Sequence, residues 1–332
     1  MVKTSAVNNT PQKRLRLEKL DILRAIALIG MVVFHFSWDL AYFGYISADA
    51  IANGWLVDLA RIVASSFLFL SGFSLYLAHG NAIKWHAFTR RFIVIILAAG
   101  LVSLATFYIM PDNFIYFGIL HEIALTSFIG LLFLRMSWLI NVIVAVAVFY
   151  APHFLPPVYG NAFLWLGLNP APPSTFDYVP FFPWFSAGLL GLTLAQLTDK
   201  LNVLSLLQAG IKPNFLNRLL QWFGRHTLLI YLIHQPILMA AFFAYSSIIP
   251  LREPTIAEIR SAQETACLKD FDGPQEQAVK FCSCAYDELD KQGLLEDLVH
   301  GLIGIDDDRI QAIRKTCLFG DDVLEKPAQN AN

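Results

Sequence analysis

The chain has 332 residues, of which 56% are hydrophobic and 15% charged, and a formal net charge of -2. The small sum conceals a division: charged residues are sparse before about residue 250 and dense after it, so one part of the chain is built for lipid and the other for water. Backbone groups in lipid must be bonded within their own segment, which long apolar runs achieve as helices, and an outer-membrane barrel is excluded.

Residues 1–19 are polar and basic. After them, runs of about 20 apolar residues, the length needed to cross hydrocarbon, fall at 22–43, 55–79, 92–110, 114–134, 137–154, 180–198 and 227–249. They predict an all-α, polytopic transmembrane helix bundle of about seven spans over 20–250. Lys and Arg set its orientation, since loops kept in the cytoplasm retain positive charge. Lys13, Arg14, Arg16 and Lys19 precede the first span; Lys84, Arg90 and Arg91 separate the second from the third; Arg135 follows the fourth; Lys200, Lys212, Arg218 and Arg225 follow the sixth. The alternate loops 44–54, 111–113 and 151–179 hold neither Lys nor Arg. The amino terminus is therefore expected in the cytoplasm and residues 251–332 outside it, with the bundle in the cytoplasmic (inner) membrane. The first run is too long for a cleavable signal and reads as an anchor.

Ionisable side chains inside spans cost a few kcal/mol on insertion scales and face functional interiors. The first span concentrates them. At about 100° per residue, Asp21, Arg24, His35 and Asp39 fall at about 0°, 300°, 320° and 0° around the helix, with His35 about 16 Å beyond Arg24 along the axis. That is a polar track on one face. Asp58 and Arg61 of the second span, His121 and Glu122 of the fourth, and His234 with Gln235 of the seventh are candidates to meet it. Plainer readings stand beside these: Arg24 snorkelling to the interface, Asp58 acting as an outer cap, and His121 or His234 satisfied by a neighbouring helix. His35 with a carboxylate at i+4 has the arrangement of a general base or covalent acyl carrier oriented by Asp39.

Residues 151–179 form a Pro-rich, aromatic outer loop, and 201–224, broken by Gly210 and Pro213, reads as a cytoplasmic surface helix. The tail 251–332 is expected to be a separate extracytoplasmic domain of three or four short helices, with Pro254 and Pro274 at first turns and Asp306, Asp307 and Asp308 before Ile310–Ile313. All four cysteines, Cys267, Cys282, Cys284 and Cys317, lie there. An exported compartment favours two disulfides. Cys282 and Cys284 are poorly placed to bond each other on one helix, so each is expected to pair with Cys267 or Cys317. Free thiols and a four-Cys zinc site are the alternatives, although the spacing matches no standard zinc pattern, and no metal is predicted.

The stretch Leu20-Asp21-Ile22-Leu23-Arg24 through Phe34-His35 resembles the opening of membrane acyltransferases. Further blocks follow in order: Phe67-Leu68-Phe69-Leu70-Ser71-Gly72-Phe73, Phe117-Gly118-Ile119-Leu120-His121, Asp177-Tyr178-Val179-Pro180-Phe181-Phe182-Pro183-Trp184, Phe223-Gly224-Arg225-His226 and Tyr231-Leu232-Ile233-His234-Gln235-Pro236. Together, over roughly 15–250, they resemble the heparan-alpha-glucosaminide N-acetyltransferase catalytic-domain family. The resemblance implies transfer of an acetyl group from acetyl-CoA to a sugar amine or hydroxyl of a glycan on or beyond the membrane. Within it, His35 is expected as base or transient acyl acceptor, Asp39 as its orienter, and His121 and His234 as pocket or second catalytic groups. Arg24 is expected to pair with the CoA end, Arg61 to hold an acidic sugar or a developing oxyanion, and Asp21, Glu122 and Gln235 to line the binding site. The lysosomal members carry Asn at the position of His35 and a His in the loop that follows, whereas residues 44–54 here hold no His.

A secondary transporter would also place ionisable groups near mid-membrane, but it predicts paired, broken helices in two related halves, and seven unrelated spans argue against it. A haem cytochrome would use facing His pairs. The expected partners are the bilayer and a glycan or amino-sugar acceptor, with no nucleic acid.

Overall fold

The computed structural model describes residues 17–46, 51, 54–170, 173, 175–204, 211–249, 255–271, 273–299 and 302–319, and among them every regular element is a helix apart from one isolated bridge. Lys13, Arg14, Arg16, Gly210 and Pro254 lie outside the described residues. The chain divides into two units, Met1–Ile249 and Pro250–Asn332.

In the first unit the helices are α1 Glu18–Tyr42, α2 Trp55–His79, α3 Trp85–Ile109, α4 Ile119–Phe133, α5 Trp138–Phe154, α6 Phe181–Lys200, α7 Phe215–Arg225 and α8 Thr227–Ile248. Five of them, α1, α2, α3, α6 and α8, are long and apolar enough to cross a membrane, and α4 and α5 are shorter apolar helices. By a rise of 1.5 Å per residue α4 and α5 are only about 22 and 26 Å long, short of the roughly 30 Å of hydrocarbon.

The expected span 114–134 is helical only from Ile119, and the cause is local. Phe117 bridges in parallel to Tyr178, the Val179 amide donates to the Phe117 carbonyl at 3.1 Å, and the Phe176 amide donates to Asn113 at 3.1 Å. Non-helical backbone is tolerated in an apolar setting when a neighbouring segment satisfies it in this way. At the other extreme α3 starts at Trp85 rather than 92, because its first two turns carry Arg90 and Arg91 and escape a search for apolar runs.

Lipid provides no hydrophobic drive between helices, so packing there relies on close van der Waals approach over small residues. The α2–α6 crossing follows that rule. A Cβ on Gly72 would overlap the Gly188 carbonyl oxygen, and one on Gly191 would overlap that of Phe69. Leu68 of α2 and Phe185, Leu189 and Leu192 of α6 are buried with no more than 1% exposure. By contrast, Leu97, Leu101 and Leu104 of α3 and Ile143 and Phe149 of α5 are exposed, the surface expected of helices in lipid.

Helix α7 falls in the second half of the surface helix read from 201–224, of which 205–210 lie outside the described residues. Asn214 caps it by accepting the Asn217 amide at 2.7 Å, and Phe215, Leu216 and Trp222 stay exposed. Gly224 lets α7 press on the backbone of α1 at Asp21.

The second unit holds α9 Ile256–Asp270, α10 Gln275–Lys291, α11 Leu294–Val299 and α12 Asp308–Phe319. Thr255 and Glu258 form a reciprocal capping box on α9, and Pro274 immediately precedes α10. Leu289, Leu294, Leu295 and Ile313 form its core. The cysteines pair as Cys267–Cys282 and Cys284–Cys317, with Cα separations of 6.0 and 5.7 Å.

Candidate active site

The polar stripe of α1 carries opposite chemistry at its two ends. At the first end Asp21 is almost fully buried and paired. Arg24 donates through Nη1 to Asp21 Oδ1 at 2.8 Å and through Nη2 to Ser74 Oγ at 2.6 Å, and Arg225 of α7 brings Nε to 3.8 Å from Asp21 Oδ2. A buried carboxylate needs this compensation. Here it also fixes the Arg24 fork against α2.

Beside Arg24 lies a cavity of about 550 Å³ among α1, α2, α3, α4 and α8, within the usual range of about 300–1,000 Å³ for small-molecule sites. Arg24, His86, Arg90 and Arg91 make one part of its wall basic. Phe67, Leu70, Val94, Ile119, Leu120 and Leu228 make most of the rest apolar, and Ser71 and Tyr231 add hydroxyls. The buried Ser71 Oγ has no hydrogen-bond partner among the described residues.

At the second end of the stripe α1 meets α8. The rings of His35 and His234 lie with centroids 4.9 Å apart at 60°. His234 Nδ1 is 2.6 Å from the Tyr231 carbonyl oxygen. A carbonyl only accepts, so Nδ1 carries the proton and Nε2 of the neutral ring is a bare acceptor. Gln235 Nε2 donates to Asp39 Oδ1 at 2.7 Å, which fixes the amide so that Oε1 faces away as an acceptor. His234 Nε2, Gln235 Oε1 and Asp39 Oδ2 are all buried without a partner among the described residues.

Asp39 therefore pairs with Gln235, and the orienting bond expected from Asp39 to His35 is not among the hydrogen bonds of the described residues. Trp38 stacks on Tyr42 at 5.3 Å and meets Phe176 edge-on at 5.2 Å, and Phe43 stacks on Phe242 at 5.4 Å, which adds an aromatic rim on this side.

The remaining sequence candidates are placed elsewhere. His121 Nδ1 accepts the Gly118 amide at 3.2 Å, so Nε2 carries the proton that faces Ser103 Oγ at 3.3 Å, and Ser103 in turn donates to Ile115 at 2.6 Å. One ring nitrogen caps the start of α4 and the other faces α3. Glu122 is fully buried and accepts from Thr126 Oγ1 at 2.9 Å, and it does not line the cavity. Arg61 lies 3.7 Å from Asp58, with about 70% of both side chains exposed, outside the histidine cluster.

Two residues that lie inside the quoted blocks, but that no motif chemistry singled out, join the site. Asp177 Oδ2 accepts the Ile119 amide at 2.8 Å and the Tyr231 hydroxyl at 3.4 Å. Burial pushes the Asp177 carboxyl up to about 6, and those two donors pull against the rise. Tyr231 lines the cavity, and its ring centroid is 5.8 Å from that of His234.

No curated protein and no solved structure matches the chain. A family model described as heparan-alpha-glucosaminide N-acetyltransferase, catalytic, matches residues 16–236. That range starts just before α1, ends one residue past Gln235, and contains every side chain of the cavity and the histidine cluster. The chain belongs to the heparan-alpha-glucosaminide N-acetyltransferase catalytic family, a family of membrane acetyltransferases.

Proposed function

We propose that the chain transfers an acetyl group from acetyl-CoA, bound in the basic cavity, to a sugar amine or hydroxyl that reaches the His35–His234 cluster from the opposite end. The observation that carries this reading is the trio of buried, unpartnered acceptors at that cluster. An unsatisfied buried acceptor costs about 1–3 kcal/mol, a cost recovered when a ligand supplies N–H or O–H donors. Amines and sugar hydroxyls are such ligands.

The donor fits the other side of the site. Phosphates match Arg90 and Arg91, whose guanidinium forks bind them through paired hydrogen bonds, and Arg24, its own fork held by Asp21 and Ser74, adds positive charge beside them. The apolar wall suits the pantetheine arm and leads to Tyr231. The acceptor nitrogen or oxygen attacks the thioester carbonyl carbon, the C–S bond breaks, and CoA leaves as the thiolate. His234 Nε2 takes the proton released by the acceptor and then returns it to the departing thiolate, so charge and atoms balance and His234 ends neutral, with the His35 ring packed against it. Asp39 and Gln235 hold the acceptor's donor groups, and the aromatic rim offers faces for a sugar ring. With the Lys and Arg pattern read as cytoplasmic, acetyl-CoA is drawn from the cell interior and the glycan lies on or beyond the far face.

Radiolabelled acetyl-CoA supplied to membranes containing the protein, with glucosamine or a hydroxyl-only sugar as acceptor, tests this reading. Label in the sugar fraction that disappears with His234→Ala supports it. Label uptake into sealed vesicles without any acetylated sugar would refute it and favour transport.

A further inference from the structure

Asp177, in the segment between α5 and α6, bonds to two residues of the cavity wall. Its Oδ2 receives both the Ile119 amide and the Tyr231 hydroxyl. The segment is anchored independently on both sides of Asp177: the Val179 amide bonds Phe117, Tyr178 donates from its hydroxyl to the Leu164 carbonyl at 2.6 Å, and Thr175 donates to the Phe114 carbonyl at 2.7 Å. A Cβ on Gly118 would collide with the Asp177 carboxylate, so the approach depends on that glycine.

Tyr231 stands between the two halves of the site. Its side chain lines the cavity, its ring packs against His234, and its carbonyl fixes the His234 tautomer. Its hydroxyl bond to Asp177 is long at 3.4 Å, near the limit at which a hydrogen bond holds. A ligand oxygen nearby can take that proton without breaking a strong bond.

We infer that the Tyr231 hydroxyl donates a hydrogen bond to the carbonyl oxygen of the thioester as that oxygen gains negative charge, and that Asp177 is the positioning residue that holds it for this task. The inference rests on acetyl-CoA occupying the cavity as proposed above. Tyr231 keeps its proton throughout. The bond that forms is from carbonyl carbon to the acceptor, the bond that breaks is C–S, and the hydroxyl only stabilises the oxygen between these events. Asp177 then ties the outer segment to the donor half of the site, so that a disturbance of 175–179 reaches the thioester through one side chain.

The test is steady-state transfer from acetyl-CoA in membranes for wild type, Tyr231→Phe, Asp177→Ala, Asp177→Asn and the Tyr231→Phe/Asp177→Ala double variant. Tyr231→Phe removes only one hydroxyl, which keeps folding out of the result. Loss of one oxyanion donor costs about 10²–10³ in kcat; here a fall of about 100-fold in kcat with KM for acetyl-CoA within about threefold is expected. Asp177→Ala should show the same split at smaller size. Asp177→Asn, whose amide oxygen can stand where Oδ2 stands, should recover most of that loss, and the double variant should be no worse than Tyr231→Phe.

Wild-type kcat in Tyr231→Phe, or losses that multiply in the double variant, would overturn the inference while leaving the transfer reaction intact. Absence of transfer by wild type would instead overturn the proposed function and this inference with it.

Discussion

The two ends of α1 carry similar residues in opposite states. Asp21 and Arg24 are saturated with partners from α2 and α7. Asp39 and His35, with Gln235 and His234 across from them, leave three buried acceptor atoms without donors. Saturation fixes position, which suits a wall that binds a charged donor substrate. Deficit stores an unmet demand for hydrogen-bond donors, which suits a place where an amine or hydroxyl arrives and gives up a proton. Single unsatisfied groups occur elsewhere among the described residues, at Ser71, Glu122 and Asn141, and what sets this end apart is that three converge from two facing helices.

The sharpest way to break this contrast is at the deficient end. His234→Ala removes the bare Nε2, and since general-base catalysis contributes about 10²–10⁴, a loss of transfer of at least 100-fold is expected with normal membrane insertion. Asp39→Ala should follow. It takes away the acceptor for Gln235 and for the substrate, and should raise KM for the sugar about tenfold or more while leaving KM for acetyl-CoA unchanged. At the saturated end the split reverses: Arg90→Ala should raise KM for acetyl-CoA about tenfold, as loss of one charged hydrogen bond implies, with kcat nearly intact. Kinetics on the same membranes would check both, and a sugar-KM effect from Arg90→Ala would contradict the division.

Asp177 gives a smaller effect with a definite sign. Its carboxyl lies near 6 in the fold, above the ordinary carboxylate range, so between about pH 4 and 6 the folded chain holds a proton that the unfolded chain has released. Its contribution to stability is therefore fully present below about pH 4 and falls by on the order of 2 kcal/mol as pH rises to about 6. Asp177→Asn should remove that slope from the melting temperature of detergent-solubilised protein, and an unchanged slope would show that the group does not titrate there. The smallest effect on transfer is expected from the second unit. Replacing Cys284 and Cys317 by Ser opens a 33-residue link and should destabilise that unit by about 4 kcal/mol on a chain-entropy estimate, with transfer changed less than about twofold.

Much of this was legible in the sequence, and what was missed has physical causes. Apolar runs and the α1 stripe are local, set by helix period, and they survive into the structure as Asp21 and Asp39 buried on one face. That Cys282 and Cys284 bond different partners followed from their poor placement on one helix, whereas which of them takes Cys267 and which Cys317 is set by the packing of the helices and was not legible. Among the described residues Asp39 bonds Gln235, 196 positions away, and not His35, because an i+4 spacing permits a contact without requiring it. Asp177 and Tyr231 are 54 residues apart. Nothing in either neighbourhood signals the pairing, although both sit in blocks that mark the family. His121 looked like chemistry because a histidine in an apolar helix is rare, and only the Gly118 and Ser103 contacts show it serving as a helix cap.

The most direct measurement is acetyl transfer from acetyl-CoA to a sugar acceptor by His234→Gln, assayed beside wild type across acceptor concentrations with donor binding measured on the same protein. Glutamine keeps bulk and polarity but has no imidazole nitrogen to take a proton. The account predicts transfer reduced at least 100-fold with acetyl-CoA bound as tightly as in wild type. Transfer within a few-fold of wild type would contradict it.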